Sequence, residues 1–166
     1  MSVVATRRRE SSLLLRATMF VGLVAIVAAV LAVVVSLLPG TSGATVGLAA
    51  VNNSPAAGTL TVAVGRDDRA TLTLSISGLT PGAEYPVHLH SGTFSQPAAS
   101  VGVLGTLTAG ADGSAQLSVS SVRAGATGAS VDLTGSLLAD GPRFVDVHAE
   151  GAADPIALAA IPASGR

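Results

Sequence analysis

The stretch Gly78-Leu-Thr-Pro-Gly-Ala-Glu-Tyr-Pro-Val-His-Leu-His-Ser-Gly92 decides how the rest of the chain is read. Gly78, Pro81 and Gly82 are turn residues: proline presets φ and glycine tolerates φ > 0. Tyr85 to His90 then reads as an extended run. Side chains alternate faces along a strand, so His88 and His90 share one face while Val87 and Leu89 take the other. Two imidazoles one pleat apart are spaced to share a metal ion. The third and last histidine, His148, lies in a second alternating run, Arg143-Phe-Val-Asp-Val-His148. Asp146, two residues earlier, falls on the same face as His148, as a fourth ligand or as an acceptor for an imidazole N–H. The sequence therefore predicts that these two runs are neighbours in a β-sandwich and that the three histidines meet.

Working outward, the other runs also alternate. Gly58–Val64 puts Leu60, Val62 and Val64 on one face, and Ala70–Ile76 does the same with Leu72, Leu74 and Ile76. Thr45–Val51, Val101–Thr108, Ala115–Val119, Ser130–Leu138 and Pro155–Ile161 complete a set of eight or nine short strands. Thr93–Ser100 reads as a loop containing Pro97, and Asp112-Gly113 as a hairpin turn. No amphipathic helix is expected after residue 40. This is the pattern of an all-β sandwich or barrel.

The N-terminus is different in kind. Arg7, Arg8, Arg9 and Arg16 precede an uncharged apolar run from Ala17 to Leu38. As a helix it would span about 33 Å, enough for a hydrocarbon core of about 30 Å. The arginines would stay cytoplasmic and the remainder would cross. Pro39-Gly40 ends the run, and Ser42-Gly43-Ala44 offers small residues suited to cleavage. The expected organisation is a basic cytoplasmic segment (1–16), a transmembrane or signal-anchor helix (17–38), a linker (39–44) and an extracytoplasmic sandwich (45–166). The product is a single-pass membrane protein with its C-terminal domain outside, or a secreted one if the leader is cut.

Residues 1–38 carry four arginines and one acid, whereas the remainder carries five arginines against nine acids. With aromatics at 2% and no basic patch, nucleic-acid binding is excluded. The chain has no cysteine. Asp67, Asp68 and Arg69 read as a solvated hairpin tip. Ser91 lacks a G-x-S-x-G context, which argues against a hydrolase.

The order of motifs resembles the copper/zinc superoxide dismutase family and the related bacterial extracytoplasmic domains of chordin type (CHRD). The series is Gly78–Gly82 followed by His88 and His90, then Val101-Gly-Val-Leu-Gly105, Ala111-Asp-Gly113, Val145-Asp-Val-His148 and Pro155–Ile161. It covers residues 45–162 and implies a Greek-key sandwich or barrel of about eight strands. The resemblance also implies that His88, His90 and His148 correspond to three of the family's four copper ligands.

The departures bear on activity. The family's bridging histidine is missing, since no histidine lies between His90 and His148. Ser100 and Val103 stand where the family has zinc ligands, so copper is expected without zinc. Pro155 stands where the family has its active-site arginine, and the charged guidance loop shrinks to Ala149–Asp154. Arg143 falls on the opposite face from His148. Phe94 and Leu158 stand at the family's disulfide positions, where an apolar contact would replace the covalent tie. With bridging histidine and arginine gone and an acidic ectodomain, the expectation is copper binding, with the means for dismutation largely removed. The alternative is a non-catalytic, CHRD-like envelope module that meets a protein partner through loops near Thr93–Ser100.

Overall fold

Burial along Ala70–Ser77 (β4) follows the pattern of its letters. Ala70, Leu72, Leu74 and Ile76 are buried and the intervening Thr71, Thr73 and Ser75 are half-buried. Ala57–Val64 (β3) pairs with it antiparallel, setting Leu60 opposite Leu74 and Val62 opposite Leu72. Opposed aliphatic side chains on one face are the unit that stabilises such a pair. The computed structural model describes residues 42–162. The leader expected at 17–38 and the basic segment before it lie outside the described residues. Among those described, no helix is long and apolar enough to cross a membrane.

Ser42–Gly47 (β1) and Ala115–Val119 (β7) flank this pair to make a four-stranded antiparallel sheet ordered β1-β3-β4-β7. A seven-stranded antiparallel sheet is built from Ala49–Ala50 (β2), Glu84–Thr93 (β5), Gln96–Thr108 (β6), Ser121–Ala124 (β8), Ser130–Asp132 (β9), Arg143–His148 (β10) and Pro155–Ile161 (β11). Its order is β2-β11-β10-β5-β6-β8-β9. The inner faces of both sheets share one core: Leu60, Leu72 and Leu74 from the first, and Val87, Leu89, Val145, Val147, Ala157 and Ala159 from the second. The domain is a β-sandwich.

Several expectations need correction. Among the described residues there are eleven strands rather than about eight, because β2, β8 and β9 are short segments of two to four residues at the ends of the larger sheet. The sandwich begins at Ser42, inside the stretch read as linker 39–44. The stretch read as one strand at Thr45–Val51 divides at Leu48. β1 pairs with β3, and β2 then pairs with β11 in the other sheet. Thr93–Ser100 is not a loop but a hairpin that turns at Phe94-Ser95, with Thr93 opposite Gln96 and Gly92 opposite Pro97. Gln96, Pro97, Ala98 and Ser100 are all exposed, so this part of the strand carries no alternation in its letters. The Asp112-Gly113 turn joins no hairpin: β6 and β7 lie in different sheets. Its Gly113 carbonyl accepts from the Leu79 amide at 3.0 Å.

After β9 comes a five-residue helix, Gly135–Ala139 (α1), where strand or connector was expected. Thr134 caps it, its hydroxyl accepting from the Leu137 amide at 3.0 Å. Asp68 adds a second cap from the β3–β4 turn, accepting from the Ser136 amide and, at 2.6 Å, from the Ser136 hydroxyl. So Asp68 joins two loops, while Asp67 and Arg69 form the expected exposed pair at 3.7 Å.

Candidate metal centre

β5 is held in place by the turn that precedes it. Gly78 and Gly82 have φ of 77° and 76°, backbone that an L side chain resists. The Gly82 amide donates to the Ala109 carbonyl at 2.9 Å, and the Tyr85 hydroxyl accepts from the Thr80 amide at 2.9 Å. Beyond Tyr85 the alternation is strict: Tyr85, Val87 and Leu89 enter the core, and Pro86, His88 and His90 face outward.

β10 runs antiparallel beside β5, with Asp146 opposite His88 and Phe144 opposite His90. Val145 and Val147 are buried in the core, so Phe144, Asp146 and His148 take the outer face, the one His88 and His90 occupy. The two histidine runs are therefore direct neighbours, and all three rings lie on one surface of the seven-stranded sheet.

Their focus is a carboxylate. Asp146 Oδ2 lies 3.0 Å from His90 Nε2 and 3.0 Å from His148 Nε2, and Oδ1 lies 3.3 Å from His88 Nδ1. A carboxylate oxygen accepts from an imidazole N–H, and three imidazole nitrogens face this one. The Asp146 side chain is 8% exposed, against 28%, 19% and 13% for His88, His90 and His148. A carboxylate is rarely so buried unless its oxygens are satisfied, and here the imidazoles satisfy them.

The same spacing suits a metal ion. Ligands bound at 2.0–2.1 Å in a tetrahedron stand about 3.3 Å from each other. The nitrogen–oxygen separations of 3.0–3.3 Å are already close to that edge length. The tightest donor set among the described residues is His88, Asp146 and His148, whose ligand atoms all lie within 4.8 Å of one another. His90, expected as a ligand with His88 and His148, is not in that set but lies 3.0 Å from the same carboxylate. Asp146, expected as a fourth ligand or as an acceptor for an imidazole N–H, faces all three rings.

His90 is held differently. Its ring stacks on Phe144, with centroids 4.9 Å apart and planes 11° from parallel, and Phe94 meets Phe144 edge-on at 5.1 Å. Its Nδ1 is buried with no hydrogen-bond partner. Histidine ligands usually donate their second N–H to an acceptor, so the stacked ring does for His90 the orienting that a hydrogen bond does elsewhere. The alternating run Arg143–His148 did not by itself mark Phe144 as part of the site. The signal available was position, since Phe144 lies two residues before Asp146 and so shares its face.

Around this centre, Ser100 and Val103 pair with His90 and His88 on β6, and both are exposed. Arg143 turns away: its Nε donates to the Leu137 carbonyl at 3.2 Å and its guanidinium meets Asp140 at 3.5 Å. Glu84 is exposed at the start of β5. A cavity of about 140 Å³, lined by Phe94, Arg143, Phe144 and Ile161 among others, borders the aromatic end of the site. No protein-family model and no curated protein sequence matches this chain. The chemistry assigned to the cluster therefore rests on its own donor set: two imidazoles and a carboxylate that can hold a metal ion, with a third imidazole alongside.

Proposed function

We propose that this domain binds one copper ion on the outer face of its larger sheet, outside the cytoplasmic membrane, and does not dismutate superoxide. The observation that carries the reading is the convergence of His88 Nδ1, His90 Nε2 and His148 Nε2 on the Asp146 carboxylate at 3.0–3.3 Å. Imidazole is a good copper donor, and the Irving–Williams order places copper(II) above the other first-row dications for a set of this kind. His88, Asp146 and His148 form the primary ligands and His90 completes them. The returns of β10 to β5 and of β7 to β4, each across intervening strands of the sequence, support the Greek-key, dismutase-like sandwich. Arginine-rich residues 7–16 and the apolar run behind them support an anchored or secreted domain.

Dismutation is left out for a chemical reason. No histidine is present to bridge to a second metal, and Arg143 is engaged by Leu137 and Asp140 away from the cluster. Attraction of an anion to the centre is opposed by the charge of Asp146 itself.

The test is metal analysis of the purified protein. We expect about one copper per chain after loading and removal of excess, and none in His148→Ala. A wild-type protein that takes up no copper at micromolar concentration removes this reading and leaves the partner-binding envelope module.

A further inference from the structure

Asp146 is the one carboxylate of the copper reading, set among three imidazoles. Its carboxylate is more than nine-tenths buried, and among the described residues no arginine pairs with it: Arg69 pairs with Asp67, and Arg143 with Asp140. Imidazoles ligate a metal in their neutral form and a carboxylate in its ionised form. With an ion bound, Asp146 would therefore supply the one negative charge of the donor set, poorly screened because it is buried.

The donors are also all hard or borderline. The chain has no cysteine and two methionines, at positions 1 and 19, so residues 42–162 contain no sulfur at all. Soft thiolate and thioether ligands select copper(I), imidazole suits copper and zinc generally, and carboxylate oxygen belongs to harder ions.

Resting on the metal reading above, we infer that Asp146 is the specificity-determining residue of this centre and makes it select divalent over monovalent ions. Copper is held there as copper(II). One-electron reduction by an external donor such as ascorbate takes copper(II) to copper(I) and removes one positive charge at the carboxylate. The attraction that Asp146 supplies is halved, and no sulfur ligand makes up the loss. The residue thus stabilises the oxidised ion relative to the reduced one, and the copper is resistant to cycling.

The experiment compares the full-length protein with Asp146→Asn and Asp146→Glu, each shown to be folded by circular dichroism. The copper(II)/copper(I) midpoint potential is measured by spectroelectrochemistry. Asp146→Asn should lower the ratio of copper(II) to copper(I) affinity at least tenfold, which raises the potential by about 59 mV for one electron. Asp146→Glu, which keeps the charge, should stay nearer the wild type. Equal potentials in wild type and Asp146→Asn overturn the inference and leave copper binding intact. Wild-type protein alone gives a second reading that survives a variant failing to fold: it should bind zinc(II) at least tenfold more tightly than silver(I). Silver bound as tightly as zinc overturns the inference. Uptake of no metal by the wild type overturns the parent reading and this one together.

Discussion

Replacing Phe144 separates packing from metal chemistry at the site. The side chain is buried, 4% exposed, on the outer face of the larger sheet. It stacks on His90 at 4.9 Å and is met edge-on by Phe94 at 5.1 Å. Truncating a buried phenylalanine to alanine costs about 3–5 kcal/mol, more where the surroundings cannot close in. Here they can. A cavity of about 140 Å³ already borders the ring, and the 42% exposed Phe94 beside it leaves room for the neighbours to close in. Phe144→Ala should therefore fall at the low end, about 3 kcal/mol. Phe144→Leu keeps most of the volume and loses the stack, and should cost about 1 kcal/mol, the worth of such aromatic pairs beyond area. Urea unfolding of the metal-free protein measures both, with an unchanged slope as the condition for comparing midpoints. Phe144→Leu should also weaken metal binding by about tenfold, the scale of losing an orienting contact to a ligand. A Phe144→Ala protein within 1 kcal/mol of wild type would refute the packing argument. Undiminished metal affinity in Phe144→Leu would show that His90 needs no stack to hold its ring.

Saturating the protein with copper(II) to a hundred times its dissociation constant should stabilise it by about 2.7 kcal/mol, and thermal unfolding should show no such gain in His148→Ala. Gly78→Ala should destabilise by about 1–3 kcal/mol, read by urea unfolding, since φ is 77° and a Cβ there would strike the Pro55 carbonyl; an unchanged midpoint would refute this. The Ser114 hydroxyl and amide hold the Asp112 carboxyl below its ordinary 3.8. A folded-state value below the unfolded one gives stability that is present above 3.8 and lost as pH falls below it. Asp112→Asn should therefore lose stability less steeply than wild type below that pH, an effect kept small by the exposure of the pair.

What could be read from letters follows how local the cause is. His88 and His90 share a face because of the two-residue period of β5, and Asp146 joins His148 for the same reason in β10. That the two strands pair is not local: the expectation rested on all three histidines falling in two alternating runs, and no period within either run gives the pairing. The hairpin at Thr93–Gln96 leaves no alternation to read, because Gln96, Pro97, Ala98 and Ser100 all face solvent. Helix α1 was missed because one turn buries only Gly135 and Leu138 and takes part of its capping from Asp68, 68 residues before Ser136. The central place of Asp146 depends on the three-way meeting of rings from two strands. The orientation of His90 depends on Phe144 from the neighbouring strand. Neither has a signature within either run.

The passage of the chain through Leu48 ties both sheets to one short ribbon. The Leu48 amide holds the Gly58 carbonyl of one sheet, and three residues on Val51 holds Ile156 of the other. The first ten residues of the sandwich thus shield the border strands β3 and β11 at once. A chain trimmed to begin after Val51 would bare two rows of unsatisfied amides and carbonyls together, inviting self-association through either seam. Recombinant versions of this domain should therefore begin ahead of Ser42, and fusion tags are best carried at the far end.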